Sequence, residues 1–174
     1  MLARKLTAFT LLEVLASIAL LVILLALAIP NYKQILANAF EVGCVSNMRG
    51  ITVALHGYLQ DHQAVWPQGP SPNEEADWEK FWLKALEPYG IAPKTWQCPG
   101  FNAEATVAGL AADERPRVHY IPTTFGPASG MAYVWEGQPW LVERANSHDK
   151  GPHIGFQDGS VKPFYKVLAE HGVR

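Results

Sequence analysis

The stretch FTLLEVLASIALLVILLALAI, residues Phe9–Ile29, decides what kind of protein this sequence can form. It is 21 residues long and carries a single charged residue, Glu13. A helix rises about 1.5 Å per residue, so a helix of this length covers the roughly 30 Å hydrocarbon core of a bilayer. We therefore predict a membrane-spanning helix over residues 9–29.

The basic residues around this stretch predict its orientation. Arg4 and Lys5 precede it, and the next basic residue is Lys33. Because positively charged flanks stay in the cytoplasm, we expect a single-pass protein of the inner (cytoplasmic) membrane with an extracytoplasmic head. The alternative is secretory cleavage after the A-x-A sequence Ala26-Leu27-Ala28, which would release a soluble head. The apolar stretch is longer than the usual hydrophobic region of a signal peptide, about 7–15 residues, and it contains Glu13; both features argue against that route.

Glu13 is the anomaly of the apolar stretch. An acidic group in a spanning segment costs about 2.5–3.5 kcal/mol unless it is paired or lies near the interface. One reading is that Glu13 lies at the hydrated cytoplasmic interface. The other is that a partner compensates its charge.

The residues from Lys5 to Leu15, KLTAFTLLEVL, resemble the processing site of type IV pilins and type II secretion pseudopilins. The resemblance implies that a prepilin peptidase cuts between Ala8 and Phe9 and methylates the new amino terminus. It also implies that Glu13 meets the amino terminus of a neighbouring subunit during assembly and fixes the axial offset. Most members of this family have Gly where this chain has Ala8.

Pro30 falls where the helix of this family usually bends, and a proline there removes a backbone donor. A plain helix end is the alternative. The resemblance divides the chain into a cytoplasmic leader (1–8), a transmembrane assembly helix (9–29), an amphipathic continuation (30–65) and an extracytoplasmic head (66–174). Its partners would be the prepilin peptidase, the inner membrane and other pilin or pseudopilin subunits.

The rest of the sequence predicts an α+β head, with the long helix packed on a small antiparallel sheet. Apolar residues return every three or four positions, which indicates a helix ending near Gln60–Gln63. These positions are Ile35, Ala39, Val42, Val45, Met48, Thr52, Leu55 and Leu59. A covering helix is expected around Trp78–Leu86. Strands are predicted at Val118–Pro122, Met131–Trp135, Trp140–Val142, His153–Phe156 and Val161–Phe164, with turns at Glu136-Gly137 and Asp158-Gly159.

The C-terminal residues resemble pilin-like proteins that carry His, nine residues, and then Asp-Gly. His148, Asp158 and Gly159 match that spacing. A tight hairpin turn explains Asp158-Gly159 most simply. A metal site using His148, Asp149, His153 or Asp158 is the weaker alternative. Calcium is possible by resemblance to major pseudopilins, yet two aspartates fall short of the oxygen-rich set that calcium prefers.

Cys44 and Cys98 form a disulfide or remain two separate buried thiols; the sequence leaves both open. From Asn31 onward the chain has 12 Lys and Arg against 15 Asp and Glu, without a basic run, so we expect no direct nucleic-acid ligand. The usual catalytic motifs are missing from the sequence. The sequence thus favours a non-enzymatic filament subunit over a membrane-anchored ligand-binding or hydrolytic domain.

Overall fold

A computed structural model describes residues 10–71, 75–144 and 151–170, without the side chains of residues 28–31, 75 and 76. The chain divides into two compact units, Met1–Asn38 and Ala39–Arg174. Helix α1 (Leu11–Asp61) supplies residues to both units. Its end lies within the range that the sequence predicts.

The first unit contributes an apolar helical segment. Within the described residues, no single helix alone meets the length and hydropathy expected of a membrane span, whereas Leu11–Leu27 and Tyr32–Asp61 meet them together as a bent pair. The large apolar side chains of residues 11–27 are exposed, from 44% at Val14 to 78% at Leu11. Residues 11–27 therefore expose large apolar side chains all round the helix.

In the second unit, α1 forms one wall of the head's core. Its fully buried face includes Cys44, Met48, Ile51 and Leu55, positions that follow the helical repeat of three and four residues. Val42 was predicted on this face but is 69% exposed. It lies two residues before Cys44, and two residues turn a helix by about 200°, to the opposite side.

Three shorter helices complete the helical part. They are α2 (Glu75–Leu86), α3 (Pro99–Val107) and α4 (Phe164–Glu170). α2 is the predicted covering helix, and its buried Glu79 accepts hydrogen bonds from the backbone N–H groups of Arg117 and Val118 at 3.0 and 3.2 Å. Short 3-10 turns occupy Glu87–Tyr89, Pro93–Trp96, Ala112–Glu114 and Met131–Tyr133.

Four strands form one antiparallel sheet in sequence order: β1 (Tyr120–Pro122), β2 (Pro139–Glu143), β3 (His153–Phe156) and β4 (Val161–Pro163). Ile121 pairs with Val142, and Ile154 pairs with both Val142 and Lys162. Gly155 in β3 allows the close approach of α1, because a Cβ there would lie 3.3 Å from the Met48 Cε. The α+β class and the antiparallel sheet are confirmed.

The predicted strand Met131–Trp135 is wrong, because these residues begin with the 3-10 turn Met131–Tyr133. The side chain of Gln138 holds this segment folded: its Oε1 accepts from the Val134 N–H and its Nε2 donates to the Met131 carbonyl, both at 3.0 Å. The Trp140 indole N–H donates to the Ala132 carbonyl at 2.8 Å. The backbone of this segment thus bonds to side chains and does not form the hydrogen bonds between strands that its alternating apolar residues predict.

The core of the head is built around aromatic rings. Five of the six tryptophans are buried, namely Trp66, Trp78, Trp82, Trp96 and Trp140. Their ring centroids lie 5.2 to 6.4 Å from at least one other member of the set. Such tilted and edge-on pairs are favourable beyond the apolar area they bury. The sixth, Trp135, is 55% exposed.

Candidate functional site

The predicted assembly residue Glu13 lies in the first turn of α1 and caps it. Its Oε2 accepts from the Thr10 backbone N–H at 2.9 Å, while the Thr10 hydroxyl accepts from the Glu13 N–H at 3.3 Å. This reciprocal pair is a capping box, which satisfies two orphan donors at a helix start. The sequence contains its signature, Thr10-x-x-Glu13 before an apolar run. Within the described residues, Glu13 has no ion-pair partner.

The remaining predicted residues of the N-terminal region are only partly described. Ala8 and Phe9, where processing is predicted, lie outside the described residues, as does the leader 1–8. The backbone at Pro30 lies inside α1, and its side chain is not described. Helix α1 therefore includes this position. The bend at Pro30 and its alternative, a plain helix end, both stay predictions.

Cys44 and Cys98 form a disulfide that joins α1 to the residue preceding α3. Their Cα atoms lie 5.1 Å apart, and both side chains are fully buried. Because α3 begins directly after Cys98, the bridge fixes the start of this helix to the spine of the head. The sequence left open whether these cysteines form a disulfide or remain two separate thiols, and the structure contains the disulfide.

The described residues contain one group of three candidate metal ligands, Cys44, Cys98 and Glu143, with ligand atoms within 4.8 Å of one another. The two sulfur atoms are bonded to each other, so neither is available as the thiolate that zinc requires. The group is therefore a disulfide beside a buried carboxylate. A calcium site finds no support in it, since calcium takes oxygen ligands.

His153 lies beside this disulfide in a buried polar cluster. It is 1% exposed, and its Nδ1 donates to the Glu143 Oε2 at 3.0 Å. The Glu143 Oε2 also accepts from the His153 backbone N–H, and the Glu41 Oε1 lies 3.6 Å from the His153 Nε2. The cluster thus ties α1, β2 and β3 together through side chains that would be costly to bury alone.

Sequence reasoning missed Glu143 and Glu41. A signal for Glu143 exists, because it stands two residues after the buried Leu141 and alternation places both on the inward face of β2. Charged residues are ordinarily assigned to the outside, and a partner such as His153, ten residues away, helps to make this burial tolerable.

The Asp158-Gly159 pair forms the predicted hairpin turn between β3 and β4. The Gly159 N–H donates to the Phe156 carbonyl at 3.0 Å, and Gly159 has φ +78°, the left-handed region that glycine adopts without strain. The Asp158 Oδ1 accepts from the Ser160 N–H at 2.8 Å, and hydrogen bonding by Ser160 lowers the pKa of Asp158. His148 and Asp149 lie outside the described residues. Asp158 is thus exposed in a turn, while His153 is buried with Glu143.

Among the described histidines, His119 is buried as His153 is, and its hydrogen bonds fix the neutral form. Its Nδ1 accepts from the Cys98 N–H at 2.8 Å, and its Nε2 donates to the Pro116 carbonyl at 2.9 Å. Burial lowers the pKa of His119 below its ordinary value. A histidine with a lowered pKa stabilises the fold above its unfolded pKa of about 6.5, and this contribution is lost as the pH falls below that value.

We therefore expect the free energy of unfolding of the wild-type chain to fall from pH 7.5 to pH 5. In His119→Asn the free energy of unfolding should fall less steeply than in the wild type, by up to about 1.4 kcal/mol per pH unit. The reason is that the unfolded variant lacks one imidazole that would take up a proton in this pH range. Urea unfolding followed by tryptophan fluorescence measures this difference. His62→Asn, at an exposed position, is the control and should follow the wild type. If the free energy of unfolding depends on pH in the same way in the wild type and in His119→Asn, His119 does not set this pH dependence.

Comparison of this chain with protein-family models, with curated proteins and with solved structures gives no match. The resemblance to pilins and pseudopilins therefore rests on the quoted residues alone.

Proposed function

We propose that this chain is a structural, non-enzymatic subunit of a type IV pilus-like or type II secretion pseudopilus filament. It is processed by a prepilin peptidase between Ala8 and Phe9, held in the inner membrane before assembly, and assembled through its N-terminal helix with copies or relatives of itself. The proposal combines the resemblance of residues 5–15 with the physical properties of α1.

The observation that carries the proposal is the exposure of every large apolar side chain of residues 11–27. A helix that is apolar all round is stable in a membrane or against other apolar helices, and it is not stable in water. A filament subunit first resides in a bilayer and then joins a bundle of identical helices. Its apolar helix is therefore covered at both stages. The exposed Tyr32 and Ile35 extend the apolar surface beyond residue 27.

Glu13 supports the same proposal, because a carboxylate in this apolar segment has no ion-pair partner among the described residues. The capping box with Thr10 satisfies hydrogen bonds but supplies no full positive charge. The amino terminus of a neighbouring processed subunit supplies an opposite charge. In low dielectric such a pair draws subunits together and selects one axial offset.

The disulfide supports the predicted compartment. Disulfides persist in oxidising, extracytoplasmic environments and are rare in the cytosol. The bridge between Cys44 and Cys98 lies in the head, which the positive-inside rule also places outside.

Processing is tested by intact mass and N-terminal sequencing of the membrane-extracted protein, in the wild type, Ala8→Gly and Ala8→Leu. We expect a mature chain that begins at methylated Phe9 in the wild type and in Ala8→Gly. A bulky side chain at the cleavage site should block the peptidase, so Ala8→Leu should remain uncut. A chain that begins at Ile29 would contradict the proposal and indicate a released head. An uncut wild-type chain would also contradict it.

A further inference from the structure

An open hollow of 380 Å³ lies where α1 ends, within the second unit. It is formed by the last turn of α1, by the loop that follows and by Phe81 of α2; the described lining residues are Tyr58, Asp61, His62, Gln63, Val65, Trp66, Gln68 and Phe81. Aromatic rings make up much of this lining. Tyr58 and Phe81 are half-buried, and Trp66 lines the hollow from the interior at 1% exposure. No lysine or arginine is among the described lining residues.

Asp61 is the one carboxylate among the described lining residues, and it is exposed to solvent. Its Oδ2 accepts from the Tyr89 hydroxyl at 3.0 Å. Its side chain makes no other hydrogen bond or ion pair within the described part of the chain. A negative charge beside aromatic rings, with His62 as the only basic side chain among the described lining residues, is complementary to a positive ligand.

Two glycines leave room for the aromatic rings of Tyr89 and Phe81. A Cβ at Gly57 would lie 2.9 Å from the Tyr89 Cδ1, and a Cβ at Gly69 would lie 2.6 Å from the Phe81 Cδ1. Both distances are shorter than a side chain tolerates, so any other residue would displace the ring. Tyr89 therefore packs against the backbone of α1 at Gly57, and Phe81 packs against the backbone of the loop at Gly69.

The loop itself is held in a conformation that costs free energy. Gln63 and Ala64 have φ of 53° and 57°, in the left-handed region that non-glycine residues rarely adopt. The Gln63 carbonyl accepts from the Ser129 hydroxyl at 2.6 Å, and the Ala64 carbonyl accepts from the Gly130 N–H at 2.9 Å. Backbone strain of this kind persists only where the surroundings enforce it, and it is concentrated at functional sites.

We propose that this hollow, which we call the Asp61 hollow, binds an organic ammonium group, either on a small amine or on a lysine side chain. Asp61 supplies the negative charge through the carboxylate oxygen that Tyr89 leaves open. Phe81 and the stacked pair of Tyr58 and His62, whose ring centroids lie 3.8 Å apart, supply aromatic surface. The hollow belongs to the head, and its binding does not depend on filament assembly.

The test is ligand titration of the purified full-length chain in an uncharged detergent. The probes are choline, butylammonium as a model of a lysine side chain, and 3,3-dimethylbutan-1-ol, the uncharged isostere of choline. Tryptophan fluorescence reports binding because Trp66 lines the hollow, and ligand-observed saturation-transfer NMR provides a second readout. We expect saturable binding of an ammonium probe with a Kd on the order of 1 mM, and at least about fivefold weaker binding of the uncharged isostere.

Asp61→Asn is the decisive variant, because asparagine still accepts the hydrogen bond from the Tyr89 hydroxyl while the charge is removed. Ammonium binding should weaken about tenfold. Asp113→Asn, at an exposed acidic residue of the Ala112–Glu114 turn, is the matched control and should bind as the wild type does. Gly69→Ala, which displaces Phe81, should also weaken binding.

Tighter binding of butylammonium than of choline would assign the ligand to lysine side chains, and the reverse order would assign it to a quaternary amine. Equal binding of choline and its uncharged isostere would overturn the proposal, as would unchanged affinity in Asp61→Asn. Absence of saturable binding for both ammonium probes would overturn it as well.

Discussion

Glu13→Gln should abolish filament assembly while leaving membrane insertion intact. Glutamine at this position still accepts the hydrogen bond from the Thr10 N–H, because the capping box works with either residue. Only the charge is lost, and with it the proposed pairing to a neighbouring amino terminus. Leaving one partner of a buried ion pair uncompensated costs about 3–5 kcal/mol. The sheared filament fraction should therefore fall by more than about tenfold relative to the membrane fraction.

Thr10→Val is the matched control for this experiment. Valine removes the hydroxyl that accepts from the Glu13 N–H, so it weakens the cap and keeps the carboxylate. We expect it to assemble almost as the wild type does. Assembly of Glu13→Gln at the wild-type level would contradict the pairing, and an equal loss in Thr10→Val would show that Glu13 acts through the helix cap.

Removing the disulfide should have the largest effect on the stability of the head. In Cys44→Ala/Cys98→Ala, the unfolded chain regains the entropy of a loop closed across 54 residues. The chain-entropy relation gives about 4 kcal/mol for a loop of this size. The fluorescence of the buried tryptophans monitors urea unfolding. Its midpoint should move to a lower urea concentration, in proportion to the lost free energy of unfolding.

Reduction of the wild-type chain serves as the control for packing, since it opens the bridge and leaves both sulfur atoms in place. Reduced wild type and the double alanine variant should unfold at similar urea concentrations. Thiol labelling under denaturing conditions should find no free cysteine in the unreduced wild type. Two labelled thiols, or an unchanged midpoint in the double variant, would contradict a stabilising bridge.

The sequence predicted the parts of this fold that obey one strong local rule. The end of α1 near residue 61, the strand His153–Phe156 and the Asp158-Gly159 turn each follow from periodicity or from glycine at a left-handed position. The strand over Met131–Trp135 failed because the side chains of Gln138 and Trp140 hydrogen-bond to that backbone. Hydrogen bonds from side chains to the backbone of another segment produce no pattern in the local sequence.

The same distinction applies to the sites. The Cys44–Cys98 bridge remained open in the sequence because distance between residues 54 apart is not encoded locally. The Glu143–His153 pair and the Asp61 hollow depend on residues from different elements that meet only in the folded head. By contrast, the Thr10-x-x-Glu13 capping box was legible in the sequence and was overlooked beside the charge of Glu13.

The most direct test of the filament proposal is the recovery of this chain from sheared surface or periplasmic filaments of a host that has a prepilin peptidase. Electron microscopy and intact mass of the polymer fraction should be measured together. We expect filaments that contain this chain, with the mass of a polypeptide that begins at methylated Phe9 and retains the disulfide. A chain found only as monomer, whether in the membrane or released as a soluble head, would contradict it.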